Sequence, residues 1–405
     1  MTIHVVGGVY GERCVHPRYN DVYGSAGRAA LAIATVGSPA VLHSYMNHIT
    51  LEFMREKAGF LDSLRVVPTQ IEGQVSFLYI NDMAAPEILG VPASPHPPIE
   101  VEGDRVVRFG MLEGDAVVKA KWAVHDPQNV RQPVPFHANG STADHLALIL
   151  NSHEAATMAG TPGAPVEEMA DTIARQPGAE VVVVKKGPQG ALVRTSKGTT
   201  QVPAYRSSRV WKVGSGDCFV AHFANAWMHE NRPPEEAADR ASRATAFYCE
   251  NQGFPTPDDI SDPARAAVQV SDGCRRGELR QVYLAGPFFD LMQVMLLEQT
   301  RANLAAVGLR VFSPYHDIGL GSARDVVQKD LDAIRASDVV FAIADGLDAG
   351  TVFEIGYARA HEKPVVVYNE RHKGESVKMM EGSGCIVCHD YATAIYSTLW
   401  EAVAI

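Results

Sequence analysis

Val181-Val182-Val183-Val184-Lys185-Lys186-Gly187-Pro188-Gln189-Gly190-Ala191 decides the fold class. Four β-branched residues in a row leave no polar face, which is the pattern of a strand buried on both sides in a parallel sheet. A glycine-bearing turn ends the run. Outward from it, residues 1 to about 270 alternate short apolar runs with amphipathic stretches. Helices are predicted over Gly24–Gly37, where small apolar residues recur at helical spacing, and over 218–231 and 234–250. Ile71 to Val107 is richer in Pro and turn residues and reads as a lid or peripheral sheet. The expected class is α/β.

Ser271-Asp272-Gly273-Cys274-Arg275-Arg276-Gly277-Glu278 is polar and turn-prone, a linker composition. A strand then begins at Gln281-Val282-Tyr283-Leu284-Ala285-Gly286, followed by a helix to Val307 and a strand Leu309–Ser313. A helix Arg324–Ala336, a strand Asp338–Ala344, a helix Thr351–Glu362 and a strand Pro364–Tyr368 complete the rhythm. This predicts a smaller doubly wound domain, flavodoxin-like or Rossmann-like. The expected division is 1–270, a linker 271–278, and 279–405, with no internal repeat; a chain of 405 residues is long for one core.

A net charge of −11 argues against a surface that coats a nucleic acid polymer. One small anion held by backbone amides remains compatible with it. The N-terminus, Met1 to Gly8, reads as a strand and a glycine turn rather than a signal peptide, and no run approaches a membrane span, so a cytoplasmic protein is expected. Cys385 and Cys388 form a lone pair without matching ligands and read as buried or free thiols.

Val213-Gly214-Ser215-Gly216-Asp217-Cys218-Phe219 leads into an apolar helix. Small residues let the backbone turn tightly and aim its N–H groups outward, and the helix start adds positive potential, so the loop suits an anion. Asp217 in that turn is placed to take a proton from an attacking hydroxyl. Upstream lie Asn151-Ser152-His153-Glu154 and the Lys185–Ala191 segment. In this order the set resembles the PfkB, ribokinase-like family of carbohydrate and nucleoside kinases, across residues 1–270.

The resemblance implies a ribokinase-like α/β sandwich and ATP with Mg2+ as cofactors. It makes Asp217 the catalytic base and Gly214, Ser215 and Gly216 the anion hole. Asn151 and Glu154 would orient the magnesium, and Lys185, Gly187 and Gly190 would line the nucleotide loop. Three positions depart from the family. Trp211 stands where an Asp is common, Glu12 where a sugar-binding Asp is usual, and Arg28 where an Asn is expected. Glu12 and Arg28 fall on the acceptor side, so two readings stay open: a kinase with an unusual, anionic acceptor, and a pseudo-kinase that only binds.

In the second half, Tyr283-Leu284-Ala285-Gly286-Pro287-Phe288-Phe289 is followed by Lys329-Asp330-Leu331-Asp332. Then come Asp345-Gly346-Leu347-Asp348-Ala349-Gly350 and Thr351-Val352-Phe353-Glu354-Ile355-Gly356. The pattern looks like the nucleoside 2-deoxyribosyltransferases and related N-glycoside hydrolases. Displacing a base from a sugar passes through an oxocarbenium-like state that a carboxylate can trap. The resemblance implies Glu354 as nucleophile, placed in the first turn of a helix where the dipole favours its ionised form. It assigns Asp330 and Asp348 to binding or protonating the base, Tyr283 to a hydrogen bond that fixes Glu354, and Gly286 and Phe288 to the substrate. Family members often bring an Asn from a neighbouring subunit's late loop; here that loop is Glu381-Gly382-Ser383-Gly384-Cys385, with Ser383 the nearest equivalent. Ribose, 2-deoxyribose and a 5-phosphate all stay open, and no cofactor is expected for this half.

The expectation is thus an enzyme of nucleoside or nucleotide metabolism whose second half cleaves or transfers an N-glycosidic bond and whose first half phosphorylates a sugar or nucleoside. The alternative is a pseudo-kinase sensor that gates a nucleotide hydrolase, as a defence or stress effector would. Its partners are expected to be small molecules and further copies of itself, in a homo-oligomer.

Overall fold

The computed structural model of the chain describes residues 1–129, 132–175, 178–319 and 321–405. It divides into two compact units, Met1–Ser207 with Trp211–Ala267, and Ser208–Val210 with Val268–Ile405.

The first unit holds β1 (Ile3–Val6), β2 (Gly11–His16), β3 (Tyr19–Val22), β4 (Ala40–Met46), β5 (Leu64–Gln70), β6 (Ser76–Asn81) and β7 (Glu87–Leu89). It continues with β8 (Ile99–Phe109), β9 (Ala116–Asp126), β10 (Thr142–Asn151), β11 (Ala179–Lys185), β12 (Ala191–Thr195) and β13 (Gly198–Val202). The main sheet runs β13-β12-β11-β10-β9-β8-β1-β4-β5, parallel from β11 to β5, with β12 and β13 antiparallel at one edge. The four valines of β11 explain its place. Val181 and Val183 join the core under the helices Gly24–Thr35 and Ser215–Ala224, while Val182 and Val184 join the core under Val166–Ala174. Fully burying each such side chain contributes about 1.5 kcal/mol or more.

Two expectations are corrected. The stretch 71–107 is not one peripheral element. β6 and β7 belong to a separate four-stranded sheet, β3-β2-β6-β7, whereas β8 runs between β9 and β1 in the main sheet. Pro92, Pro95, Pro97 and Pro98 stand just before β8 and conceal it in sequence. The helix expected over 218–231 starts earlier, at Ser215, because Gly214 adopts φ 78° and turns the chain into it. Past Ala224 the α-helix gives way to a π-helical turn, Asn225–His229.

The second unit has β14 (Gln281–Ala285), β15 (Arg310–Phe312), β16 (Val339–Ile343), β17 (Val365–Tyr368) and β18 (Ile386–Cys388), all parallel, in the order β15-β14-β16-β17-β18. This is the doubly wound, flavodoxin-like order, with the direction of winding switching at β14. Tyr283, Val340 and Val367 share a core with Ile334 and Ile355 of the helices Ala323–Ala336 and Ala349–Ala360. One helical turn, Asp272–Arg275, lies within the segment read as a linker. No described helix is long and apolar enough to cross a membrane.

Candidate functional sites

In an open parallel sheet ligands gather beyond the C-terminal strand ends. In the first unit β9, β10 and β11 end there on Asp126, Asn151 and Lys185. Lys185 Nζ lies 2.6 Å from Asp126 Oδ2, and a Cβ placed on Gly216 would come within 3.5 Å of that ammonium. The lysine therefore reaches the start of the helix Ser215–Ala224, which no side chain caps. Positive charge and uncapped amides converge on Gly214, Ser215 and Gly216.

Asn151 and Glu154 have a further task that sequence reading missed. They form a capping box: Asn151 Oδ1 accepts from the Glu154 amide at 2.9 Å, and Glu154 Oε2 accepts from the Asn151 amide at 2.8 Å. Burial, then the nearby Asp126, push the Glu154 carboxyl up to about 7. A magnesium ion is commonly held through one or two carboxylates, water and a ligand's phosphates. Glu154 Oε1, with Asp126 nearby, fits that sparse requirement. Among the described residues no cluster of three or more His, Cys, Asp or Glu forms a closed metal cage. Gly187 and Gly190 bound the short turn between β11 and β12, and Gly190 at φ 87° packs so closely that a Cβ would meet Val202 O at 2.1 Å.

The structure brings together Glu12, Arg28 and Asp217, of which the first two were expected on an acceptor side. Arg28, 1% exposed, lies on the helix Gly24–Thr35. Its Nη1 donates to Asp217 Oδ2 at 2.8 Å and to Glu12 Oε1 at 3.1 Å, its Nη2 donates to Glu12 Oε2, and its Nε donates to Tyr248 Oη at 3.0 Å. Gln128 Nε2 donates to Asp217 Oδ1 at 2.7 Å. Burial pushes the Glu12 carboxyl up, opposed by the Arg28 charge. Trp211, also buried, packs against Tyr19 with ring centroids 4.9 Å apart. Gln128, Asp126 and Tyr248 were absent from the sequence reading. Asp126 was findable as the acid that closes a buried strand; Tyr248 carries no local signal.

In the second unit Gly286 and Phe288 follow β14, and Asp345–Asp348 follow β16, on either side of the switch point. Tyr283 Oη donates to Glu354 Oε1 at 2.5 Å. Glu354 is not in the first helical turn. Asp348 is the N-cap, accepting from the Thr351 amide at 2.8 Å, so the helix starts at Ala349 and Glu354 sits in its second turn. The helix dipole is therefore a weak influence on it. Burial dominates and pushes the Glu354 carboxyl up to about 7; the Tyr283 bond pulls it down, and Asp330 and Asp348 push it up. Asp330 is raised by burial, and its Oδ1 is buried without a hydrogen-bond partner. Phe288 lies 5.4 Å from the Tyr315 ring, an aromatic neighbour that sequence reading did not single out.

Within one chain Ser383 is not brought to this group; its expected part lies in a neighbouring subunit's site. Its hydroxyl donates to Met380 O at 3.0 Å, and its carbonyl accepts from Arg359 at 2.9 Å. The Glu381–Cys385 segment leads into β18 at its N-terminal end, the sheet edge opposite to Gly286 and Asp348. Cys385 and Cys388 are free and buried.

Residues 282–385 match the family model described as Nucleoside 2-deoxyribosyltransferase. Residues 135–260 match the one described as pfkB family carbohydrate kinase. No curated protein matches the chain. Among solved structures, a ribokinase from Thermotoga maritima is 15% identical over 64% of this chain and 98% of its own, with a TM-score of 0.47. A nucleoside kinase from Methanocaldococcus jannaschii is 15% identical over 64% and 96%, also at 0.47. Phosphofructokinase-2 from Escherichia coli is 16% identical over 64% and 96%, at 0.47. The chain thus joins a segment similar to the pfkB carbohydrate kinases to one similar to the nucleoside 2-deoxyribosyltransferases.

Proposed function

We propose that the chain acts on nucleosides or nucleotides, and that its second unit cleaves or transfers their N-glycosidic bond. The Tyr283–Glu354 pair carries this reading. A buried carboxyl at about 7 has one oxygen fixed by a phenol and the other, Oε2, available to a ligand. Glu354 attacks the anomeric carbon, the bond to the base breaks, and water or a second base then takes the sugar from Glu354. Asp330, with its unpartnered oxygen, delivers or orients the proton on the departing base. Gly286 and Phe288 border the substrate. The first unit binds the phosphates of a nucleotide such as ATP at Gly214–Gly216 with Lys185, and Glu154 holds its magnesium.

The reading is tested by offering the full chain a panel of nucleosides and nucleotides and following free base by mass spectrometry. No base release from any of them would defeat it. The pH profile of the responsive substrate is a second test. The nucleophile works ionised, so kcat/KM should rise with pH through about 7. Tyr283→Phe removes a hydrogen bond that stabilises the carboxylate, so this limb should move to higher pH and activity at pH 7 should fall. A limb that stays in place would show that Tyr283 does not act on Glu354.

Self-association of the second unit belongs to the same proposal. On the helix Leu291–Ala306, Leu297, Thr300 and Leu304 are buried. The opposite side carries Leu291, Met292 and Met295 at 74%, 77% and 63% exposure, beside Phe289 at 75%. Contiguous exposed apolar groups of this kind mark contact surfaces. Light scattering of the full chain should give at least the mass of a dimer, and Met292→Asp should lower it. A monomer at micromolar concentration would remove the idea.

A further inference from the structure

The Asp217 carboxylate is held at both oxygens. Oδ1 accepts from Gln128 Nε2 at 2.7 Å, and Oδ2 accepts from Arg28 Nη1 at 2.8 Å. A general base needs an oxygen within hydrogen-bond reach of the hydroxyl that it deprotonates. Both oxygens that would take that proton already accept from donors that cannot receive it, Arg28 Nη1 and Gln128 Nε2.

Arg28 is not poised to leave. Four of its five N–H groups are engaged, by Tyr248, by both oxygens of Glu12, and by Asp217. The group is 1% exposed and packs against the anion loop itself: a Cβ on Gly214 would lie 2.1 Å from Arg28 Nε. Tyr248 Oη in turn donates to Val213 O at 2.9 Å, which ties the cation to the backbone of that loop. Glu12 also accepts from the Gly24 amide at 3.1 Å, so the acidic partner is anchored to the start of the arginine's own helix.

We propose that the Arg28–Glu12 pair stands in the place of an acceptor, so that the first unit transfers no phosphate to a hydroxyl and binds its nucleotide without turning it over. The inference rests on reading Gly214–Asp217 as the phosphate loop and base of a kinase-like site. A chain with this site senses a nucleotide rather than consuming it, and the closure is built from side chains 16 and 189 residues apart from Arg28 in sequence.

The test uses the full chain in three measurements. With ATP, Mg2+ and ribose, 2-deoxyribose or a nucleoside, no phosphorylated acceptor should rise above the enzyme-free background. Titration calorimetry with ADP and Mg2+ should show binding. Arg28→Ala should lower Tm by roughly 6 °C or more, since it leaves Glu12 and Asp217 buried without the cation that both engage. Phosphate transfer by the natural chain would overturn the inference while leaving the kinase-like reading intact. Absence of ADP binding would instead overturn that reading and the sensing role with it. An Arg28→Ala variant as stable as the natural chain would mean that Arg28 does not hold Glu12 and Asp217 together and would also overturn the inference.

Discussion

Glu354→Ala releases free base at least about a hundredfold more slowly than the natural chain, with its Tm little changed. The size of the loss follows from the part played by the carboxylate. It supplies the electrons that stabilise the developing positive charge on the sugar, and a missing positioned acid–base group costs 10²-fold or more in comparable chemistry. Stability should survive because burial disfavours the ionised carboxylate, raising its pKa to about 7. Removing a group in that position relieves desolvation, while the one bond lost is the 2.5 Å contact from Tyr283. Glu354→Gln separates the two effects, since it keeps the shape and an acceptor for Tyr283 but cannot attack. The decisive measurement is base release by both variants across pH. Wild-type rates in either would place the chemistry elsewhere in the crevice.

The parts of the fold and of the sites that sequence revealed carry their signal in short motifs or in the order of such motifs. β11 was legible because four adjacent β-branched residues permit no exposed face. The Tyr283–Glu354 contact was legible through the order of motifs, although the two residues lie 71 positions apart. The turn of the helix on which Glu354 stands was misread, yet a signal was present: Asp348 is a favoured N-cap residue and stands just before the helix. Ser383 shows a different limit. Whether a loop lies at the ligand-binding edge of its own chain, or can serve only a neighbour's, depends on strand direction and sheet order, which only the assembled β14–β18 sheet supplies. The Arg28 network is illegible for a similar reason. Its partners Glu12, Asp217 and Tyr248 lie 16, 189 and 220 residues away, and no local pattern distinguishes this arginine from one on a solvated helix face.

That network yields the largest expected effect on stability. Arg28→Ala should lower the stability of the first unit by about 3–5 kcal/mol, the usual result of removing one member of a buried ion pair. For a unit of this size that is a fall in Tm of roughly 6–20 °C. The cause is what remains: Glu12 at 5% exposure and Asp217 at 9% would face each other without a cation, and the guanidinium volume would be empty. The loss should depend on pH. Burial already raises the Glu12 carboxyl, and the arginine's charge opposes that rise. Without Arg28 the folded state would hold the Glu12 proton still more tightly than the unfolded chain does. A group of that kind favours folding at low pH, and its contribution disappears as pH climbs through the folded-state value. The deficit of Arg28→Ala against the natural chain should therefore be larger at pH 8 than at pH 5. Arg28→Lys keeps the charge but loses the bridging geometry, and should fall between the two. Thermal denaturation of the three chains at both pH values gives the comparison. An equal deficit at pH 5 and pH 8 would assign the effect to lost packing and remove the electrostatic account of how Arg28 holds Asp217.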